Sequence, residues 1–203
     1  MTIVNSHAWP FKVDEIHTFA YVQNFLSTDE CKNIIKVGKE KNLEQASVFH
    51  KRDEKGQTNT ITKNIRDSKV AWLGSQDLPN LFPRLTDAIN DLNDKFFKFN
   101  LFGLEEGLQF TIYDGEGAKY GKHVDRCFGT KIRKLSITVE LSDPSEREGG
   151  DLQLYTGEEP LINIPKEQGT LIAFPSFMLH EVSPIKKGTR YSLVAWITGE
   201  NFK

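Results

Sequence analysis

Residues 113–125 read YDGEGAKYGKHVD, and the reading of this stretch decides the fold. It overlaps the end of LQFTIYD (108–114), a run of strand-forming residues, and then offers Asp114, Gly115 and Gly117, the residue types a tight turn requires. The chain therefore reverses and returns as extended chain carrying His123 and Asp125. Side chains two residues apart on or beside a strand share a face, so one imidazole and one carboxylate are presented together.

Downstream the same rhythm continues: KLSITVEL (134–141), GDLQLY (150–155), LINIP (161–165), GTLIAFP (169–175), MLHEV (178–182) and RYSLVAWI (190–197), with Gly149-Gly150, Gly157, Gly169 and Gly188 between runs. Short strands at this spacing predict an antiparallel sandwich, jelly roll or barrel. Upstream the periodicity is helical. Ser27 and Glu30 form a capping box ahead of a helix whose face is Cys31, Ile34, Ile35 and Gly38. Leu85, Ala88, Ile89, Leu92 and Phe96 predict a second helix from about Pro83 to Phe99. Between the two lies HKRDEKGQTNTITKN (50–64), too charged to bury and read as a mobile flap, then a strand-like IRDSKVAWLG (65–74). The expected class is α+β, mainly β, with helices packed on the sandwich. No repeat or linker divides the chain, so residues 1–203 are read as a single domain: 1–105 helical support and flap, 106–203 the β core.

Composition excludes several alternatives. A chain of 203 residues can bury about 70% of its unfolded surface and needs no disulfide or structural metal to fold. With 26 Lys and Arg against 28 Asp and Glu, it lacks the global positive charge that binds nucleic acid or anionic membranes. It has no apolar run of membrane-spanning length, and Met1 to Pro10 has neither the basic nor the apolar region of a secretory signal. Only two cysteines, Cys31 and Cys127, are present, which fits a reducing cytoplasm.

The chemistry is expected in three places. His123 and Asp125 can share a metal, and His180, from a different strand, would complete two imidazoles and one carboxylate on one face of an octahedron with three adjacent positions open. The pair alone is weak evidence, since a surface histidine beside a solvated aspartate gives the same pattern. In GTRYSLVAWI (188–197) alternation puts Arg190, Ser192, Val194 and Trp196 on one face and Tyr191, Leu193, Ala195 and Ile197 on the other. An arginine inside a β-core strand needs an anion. That anion is either a protein carboxylate or the distal carboxylate of a dicarboxylic cosubstrate gripped by Arg190 and Ser192.

Tyr113, His123-Val-Asp125, the Gly149-Gly150 turn, His180, and Arg190-Tyr-Ser192 followed by Trp196 together resemble the Fe(II)/2-oxoglutarate-dependent oxygenases of the prolyl 4-hydroxylase-like branch, over about residues 65–197. The resemblance implies a double-stranded β-helix (jelly roll) core, Fe(II) held by His123, Asp125 and His180, 2-oxoglutarate held through its C5 carboxylate by Arg190 and Ser192, and Tyr113 bonding within the cosubstrate site. It further implies O2 as co-reactant, ascorbate as a possible reductant, and Arg66, Arg133 and Trp196 as substrate contacts. His123, Asp125, His180 and Arg190 would then be the catalytic set, and the reaction a C–H hydroxylation of a prolyl residue in a protein or peptide, coupled to conversion of 2-oxoglutarate to succinate. The alternatives are the same chemistry on a small molecule or free amino acid, a cupin-like metal-binding module without catalysis, and a zinc hydrolase. No nucleic-acid or membrane partner is expected, and the chain would act as a monomer or small homo-oligomer. One departure stands out: where some prolyl hydroxylases carry a tyrosine that touches the cosubstrate, this chain has Val139 and Glu140. Tyr120 is read as lining the pocket or packing on the turn, Lys131, Arg133 and Lys134 as a solvated basic face, Cys127 as a spectator thiol, and His7, His17 and His50 as structural or surface residues.

Overall fold

The computed structural model describes residues 16–53, 56–60, 62–104, 106–125 and 132–201, with no side-chain description over 49–61. In chain order the first half forms β1 (Ala20–Val22), α1 (Thr28–Lys39), β2 (Glu44–Gln45), β3 (Val48–Asp53), β4 (Gly56–Thr60), β5 (Arg66–Asp67), β6 (Lys69–Leu73) and α2 (Leu81–Leu92). The second half forms β7 (Leu101–Leu104), β8 (Leu108–Asp114), β9 (Lys119–His123), β10 (Arg133–Glu140), β11 (Glu148–Gly149), β12 (Leu152–Tyr155), β13 (Leu171–Pro175), β14 (Leu179–Val182), β15 (Ile185–Lys187) and β16 (Thr189–Gly199).

Two antiparallel sheets carry the architecture among the described residues. The larger runs β1-β13-β10-β16-β8-β6-β2, with β7 also paired to β16; the smaller runs β12-β14-β9-β5. This is the jelly roll with helices that the sequence predicts. Strand β16 explains why the layers form as they do. Tyr191, Leu193, Ala195 and Ile197 join the main apolar core with Cys31 and Ile34 of α1 and Leu85, Ile89 and Leu92 of α2. Arg190, Ser192, Val194 and Trp196 face a cavity that residues of both sheets line. One sheet face thus buries helices, and the other bounds the site.

Helix α1 begins with the expected capping box: Glu30 N–H donates to Ser27 Oγ at 3.2 Å and Ser27 N–H to Glu30 Oε2 at 2.8 Å. Gly38 lies against the Phe110 ring, where any Cβ would collide, so the glycine lets the helix sit directly on β8. Helix α2 differs from its expected span. It starts at Leu81, and after Leu92 the chain widens into a π-turn over Asn93–Phe97, closed by Lys98 in the left-handed region at φ 60°. The Asn93 side chain fixes this ending by donating to Phe99 O and accepting from Phe99 N–H, both at 2.9 Å. Periodicity registers the apolar face but not this local exchange.

One strand expectation needs correction. LINIP (161–165) forms no strand; Pro160 and Pro165 bracket it and Asn163 has φ 62°, so it cannot extend a ladder. The stretch read as a flap runs as β3 paired antiparallel with β4, and residues 54, 55 and 61 lie outside the described residues.

Candidate active site

His123 closes β9 and His180 sits in β14, and the register makes the two direct cross-strand partners. Their ring centroids are 4.1 Å apart. Asp125, just beyond β9, is tied to the loop after β13 by its N–H donating to Ser176 O at 3.0 Å. Asp125 Oδ1 then lies 3.6 Å from His123 Nε2, and Oδ2 lies 3.4 Å from His180 Nε2. One ligand atom from each residue falls within 4.8 Å of the others, the separation a single ion bridges.

The chemistry of this donor set fits a metal. His123 Nδ1 donates to Gly121 O at 2.7 Å and His180 Nδ1 to Met178 O at 2.9 Å. A carbonyl only accepts, so both protons must be on Nδ1, and both Nε2 atoms offer lone pairs toward Asp125. Ser136 on β10 donates to Asp125 Oδ2 at 2.6 Å, orienting the carboxylate. Burial alone would raise the Asp125 pKa, but positive charge on the adjoining His180 and His123 rings when they are protonated, with the Ser136 hydroxyl, holds the carboxyl below its usual range; a cation bound at Nε2 of the neutral rings would take the place of that charge. Burial lowers the His180 pKa, which keeps this ring neutral and able to ligate. These residues could hold an Fe(II) ion.

The cavity they open into measures about 380 Å³. On its wall Arg190, 1% exposed, meets Glu140 of the adjacent strand: Nε donates to Oε2 at 3.1 Å and Nη2 donates to Oε1, while Nη1 donates to Ser192 Oγ at 3.3 Å. Burial disfavours the charged guanidinium, and Glu140 more than offsets this, so the Arg190 pKa lies above its ordinary value. The anion an in-strand arginine needs is therefore supplied in part by the protein. Three of the five N–H groups are engaged, leaving two for a ligand. Tyr113, fully buried, also lines the cavity; burial raises its pKa against the opposing pull of Arg66 and Arg190, which keeps it a phenol able to donate.

The three substrate-contact candidates all line the same cavity. Arg66 is 7% exposed and donates to Ser68 Oγ at 3.0 Å and Gln109 Oε1 at 2.9 Å; no carboxylate pairs with it among the described residues. Its guanidinium lies 4.4 Å from the Tyr120 ring centre, and Tyr120 in turn stacks on His123 at 3.5 Å. Tyr120 thus both lines the pocket and packs. Arg133 pairs with Glu106 at 2.9 Å and covers the Trp196 ring at 4.0 Å. Trp196 Nε1 is buried without an acceptor among the described residues. The basic face expected at Lys131, Arg133 and Lys134 is corrected: Lys134 is buried and Arg133 belongs to the cavity wall, because these residues occupy the edge of a paired strand, while Lys131 lies outside the described residues. Cys127 and His7 also lie outside them, His50 is described by its backbone alone, and His17 packs edge-on to Phe96 at 5.1 Å.

Sequence reasoning left Ser136 without a role and gave Glu140 only as a departure. Both could have been reached by alternation, which puts Ser136, Thr138 and Glu140 on one face of β10, opposite Trp196, Val194 and Ser192. Arg147, within 3.7 Å of Glu140, lies outside a strand and carries no such signal.

With this geometry in view, relatives are informative. The family described as the 2OG-Fe(II) oxygenase superfamily matches residues 108–198. A PKHD-type hydroxylase of Thermosynechococcus vestitus is 30% identical over 163 residues, covering 76% of this chain and 69% of that one. Another, from Prochlorococcus marinus, is 43% identical over 93 residues, 45% of this chain and 41% of the relative, so the chain aligns with about two fifths of that protein's length. Among solved structures, a Pseudomonas putida prolyl-4-hydroxylase superposes with TM-score 0.68 at 20% identity, covering 91% of this chain and 94% of that one. A Trichoplax adhaerens prolyl hydroxylase, in complex with a hypoxia inducible factor oxygen degradation domain peptide fragment, gives TM-score 0.72 at 20% identity over 90% and 84% of the two chains. The chain belongs to the 2OG-Fe(II) oxygenase superfamily, with the PKHD-type hydroxylases among its relatives.

Proposed function

We propose that this chain is an Fe(II)- and 2-oxoglutarate-dependent dioxygenase that hydroxylates a prolyl residue of a protein or peptide. The observation that carries this reading is one cavity shared by the His123, Asp125 and His180 donors and by a buried arginine with two N–H groups uncommitted. Fe(II), with 2-oxoglutarate and O2, would supply the oxidising chemistry, one oxygen atom entering succinate as CO2 leaves and the other entering the substrate C–H bond.

In this reading His123, Asp125 and His180 hold the ion, with Ser136 and the Gly121 and Met178 carbonyls fixing their orientation. Arg190 and Ser192 receive the C5 carboxylate of 2-oxoglutarate, and the Tyr113 hydroxyl donates within the same pocket. Trp196, walled by Arg133, offers an apolar face to substrate; Arg66 offers a buried positive group near His123. Phe174, Val194 and Leu152 line the remainder and exclude water. The prolyl assignment draws its support from the prolyl hydroxylases that share this fold, one of them in complex with a peptide fragment. No described helix is long and apolar enough to cross a membrane. A single domain working in the cytoplasm, as a monomer or small homo-oligomer with ascorbate as accessory reductant, completes the proposal.

The test is succinate formation together with a one-oxygen mass gain on a proline-containing peptide. The expected result is that the two rise in proportion. Turnover of 2-oxoglutarate with no peptide modified, across a proline peptide library, overturns the prolyl assignment.

A further inference from the structure

Arg190 lines the cavity, but Glu140, which takes its Nε and Nη2, does not. The carboxylate stands behind the guanidinium, in a row of alternating charge that leads to the surface. Glu140 Oε2 lies 3.7 Å from Arg147 Nη2, Arg147 Nη1 lies 3.1 Å from Asp151 Oδ1, and Asp151 Oδ2 lies 2.7 Å from Lys166 Nζ. The row from the cavity outward is thus Arg190, Glu140, Arg147, Asp151, Lys166, positive at both ends. Arg147 and Glu140 are almost completely buried, with side-chain exposures of 3% and 2%, and Arg147 Nε has no acceptor among the described residues. The Gly149-Gly150 turn lets the chain close over this row: a Cβ on Gly149 would collide with Pro184 O and one on Gly150 with the Ile185 side chain, while the same Gly150 position lies 3.5 Å from Arg190 Cδ.

We propose that Glu140 is a resident carboxylate that sets how strongly Arg190 prefers a 2-oxo acid with a charged tail. This rests on the reading of Arg190 as the cosubstrate anchor. A bare buried arginine would bind any carboxylate tightly, because an unpaired charge in a desolvated site has no other partner. Here the arginine is already paired, so the incoming C5 carboxylate meets a second negative charge across the same guanidinium, softened by Arg147 behind it. Glu140 acts through Arg190 and is a positioning residue. Its charge lowers affinity for a dianionic cosubstrate, while its two hydrogen bonds keep the remaining N–H groups oriented. The neighbouring arginine has the opposite effect, strengthening the site by offsetting Glu140 without touching the ligand.

The experiment is calorimetric titration of Mn(II)-loaded full-length protein with 2-oxoglutarate and, separately, with 2-oxobutyrate, whose tail carries no charge. Wild type is compared with Glu140→Gln and Arg147→Gln, each checked for folding by circular dichroism. The informative quantity is the ratio of the two affinities, which a merely structural role of Glu140 would lower on its loss and never raise. Glu140→Gln is expected to raise the preference for 2-oxoglutarate about tenfold, the size of a like-charge repulsion moderated by the protein and by Arg147. Arg147→Gln is expected to lower it several-fold; the rise on removing the Glu140 charge is the deciding sign, and Glu140→Ala serves in its place if Glu140→Gln fails to fold. A ratio unmoved in a folded variant, or moved against these directions, overturns the proposal while leaving the Arg190 reading intact. Wild type that binds no 2-oxoglutarate sinks both.

Discussion

Two polar clusters of different chemistry face one cavity. Around His180 two imidazoles and the Asp125 carboxylate bring their ligand atoms within 4.8 Å of one another. Around Arg190 the row ending at Lys166 holds three cations and two carboxylates, and lacks an anion. Each cluster is locally well bonded, through Ser136 in one and Glu140 in the other. In the proposed reading the cavity takes a cation between His123, Asp125 and His180 and a carboxylate-bearing molecule at Arg190.

The comparison can be broken at either end. Asp125→Asn removes the negative member of the first cluster at constant size, and metal affinity should fall by more than the ~10- to 100-fold that loss of an orienting partner costs, measured by Mn(II) or Fe(II) titration. Arg190→Met should weaken 2-oxoglutarate binding by about 2 to 5 kcal/mol, roughly 30- to 4,000-fold, with metal binding retained. That variant should also melt lower, because Glu140 is left buried without its main partner. Ser136→Ala sharpens the contrast: metal affinity should drop about tenfold, and the preference between charged and uncharged 2-oxo acid tails should stay as in wild type. The smallest effect is expected far from both clusters. Ser27→Ala loses the α1 cap at a cost of about 1 kcal/mol, a fall of roughly 2–4 °C in melting temperature, with both binding properties unchanged.

Much of this was legible before any coordinates. Alternation in RYSLVAWI separated Arg190, Ser192, Val194 and Trp196 from the core-facing set, and the structure divides them the same way because one face of β16 lies under helices and the other bounds the cavity. The stretch around Gly115 placed His123 at the end of a strand, and a pleated strand fixes side-chain direction without reference to the rest of the chain. What escaped depends on register between distant segments. That Leu154 and His123 flank His180, or that Glu140 falls opposite Ser192, follows from pairing across tens of residues, which local pattern does not specify. LINIP was misread for a related reason: its apolar composition is that of a strand, but its prolines and the left-handed Asn163 limit its pairing to one isolated bridge beside β12. The end of α2 was misjudged because the Asn93 side chain redirects the backbone there.

The central claim is that one cavity takes Fe(II) and 2-oxoglutarate together. Anaerobic addition of Fe(II) to the protein, followed by 2-oxoglutarate, tests it most directly through the visible charge-transfer band of the chelated pair. The account predicts a band that requires both additions and is lost in Asp125→Asn. Tight Fe(II) binding with no band at saturating 2-oxoglutarate would contradict it.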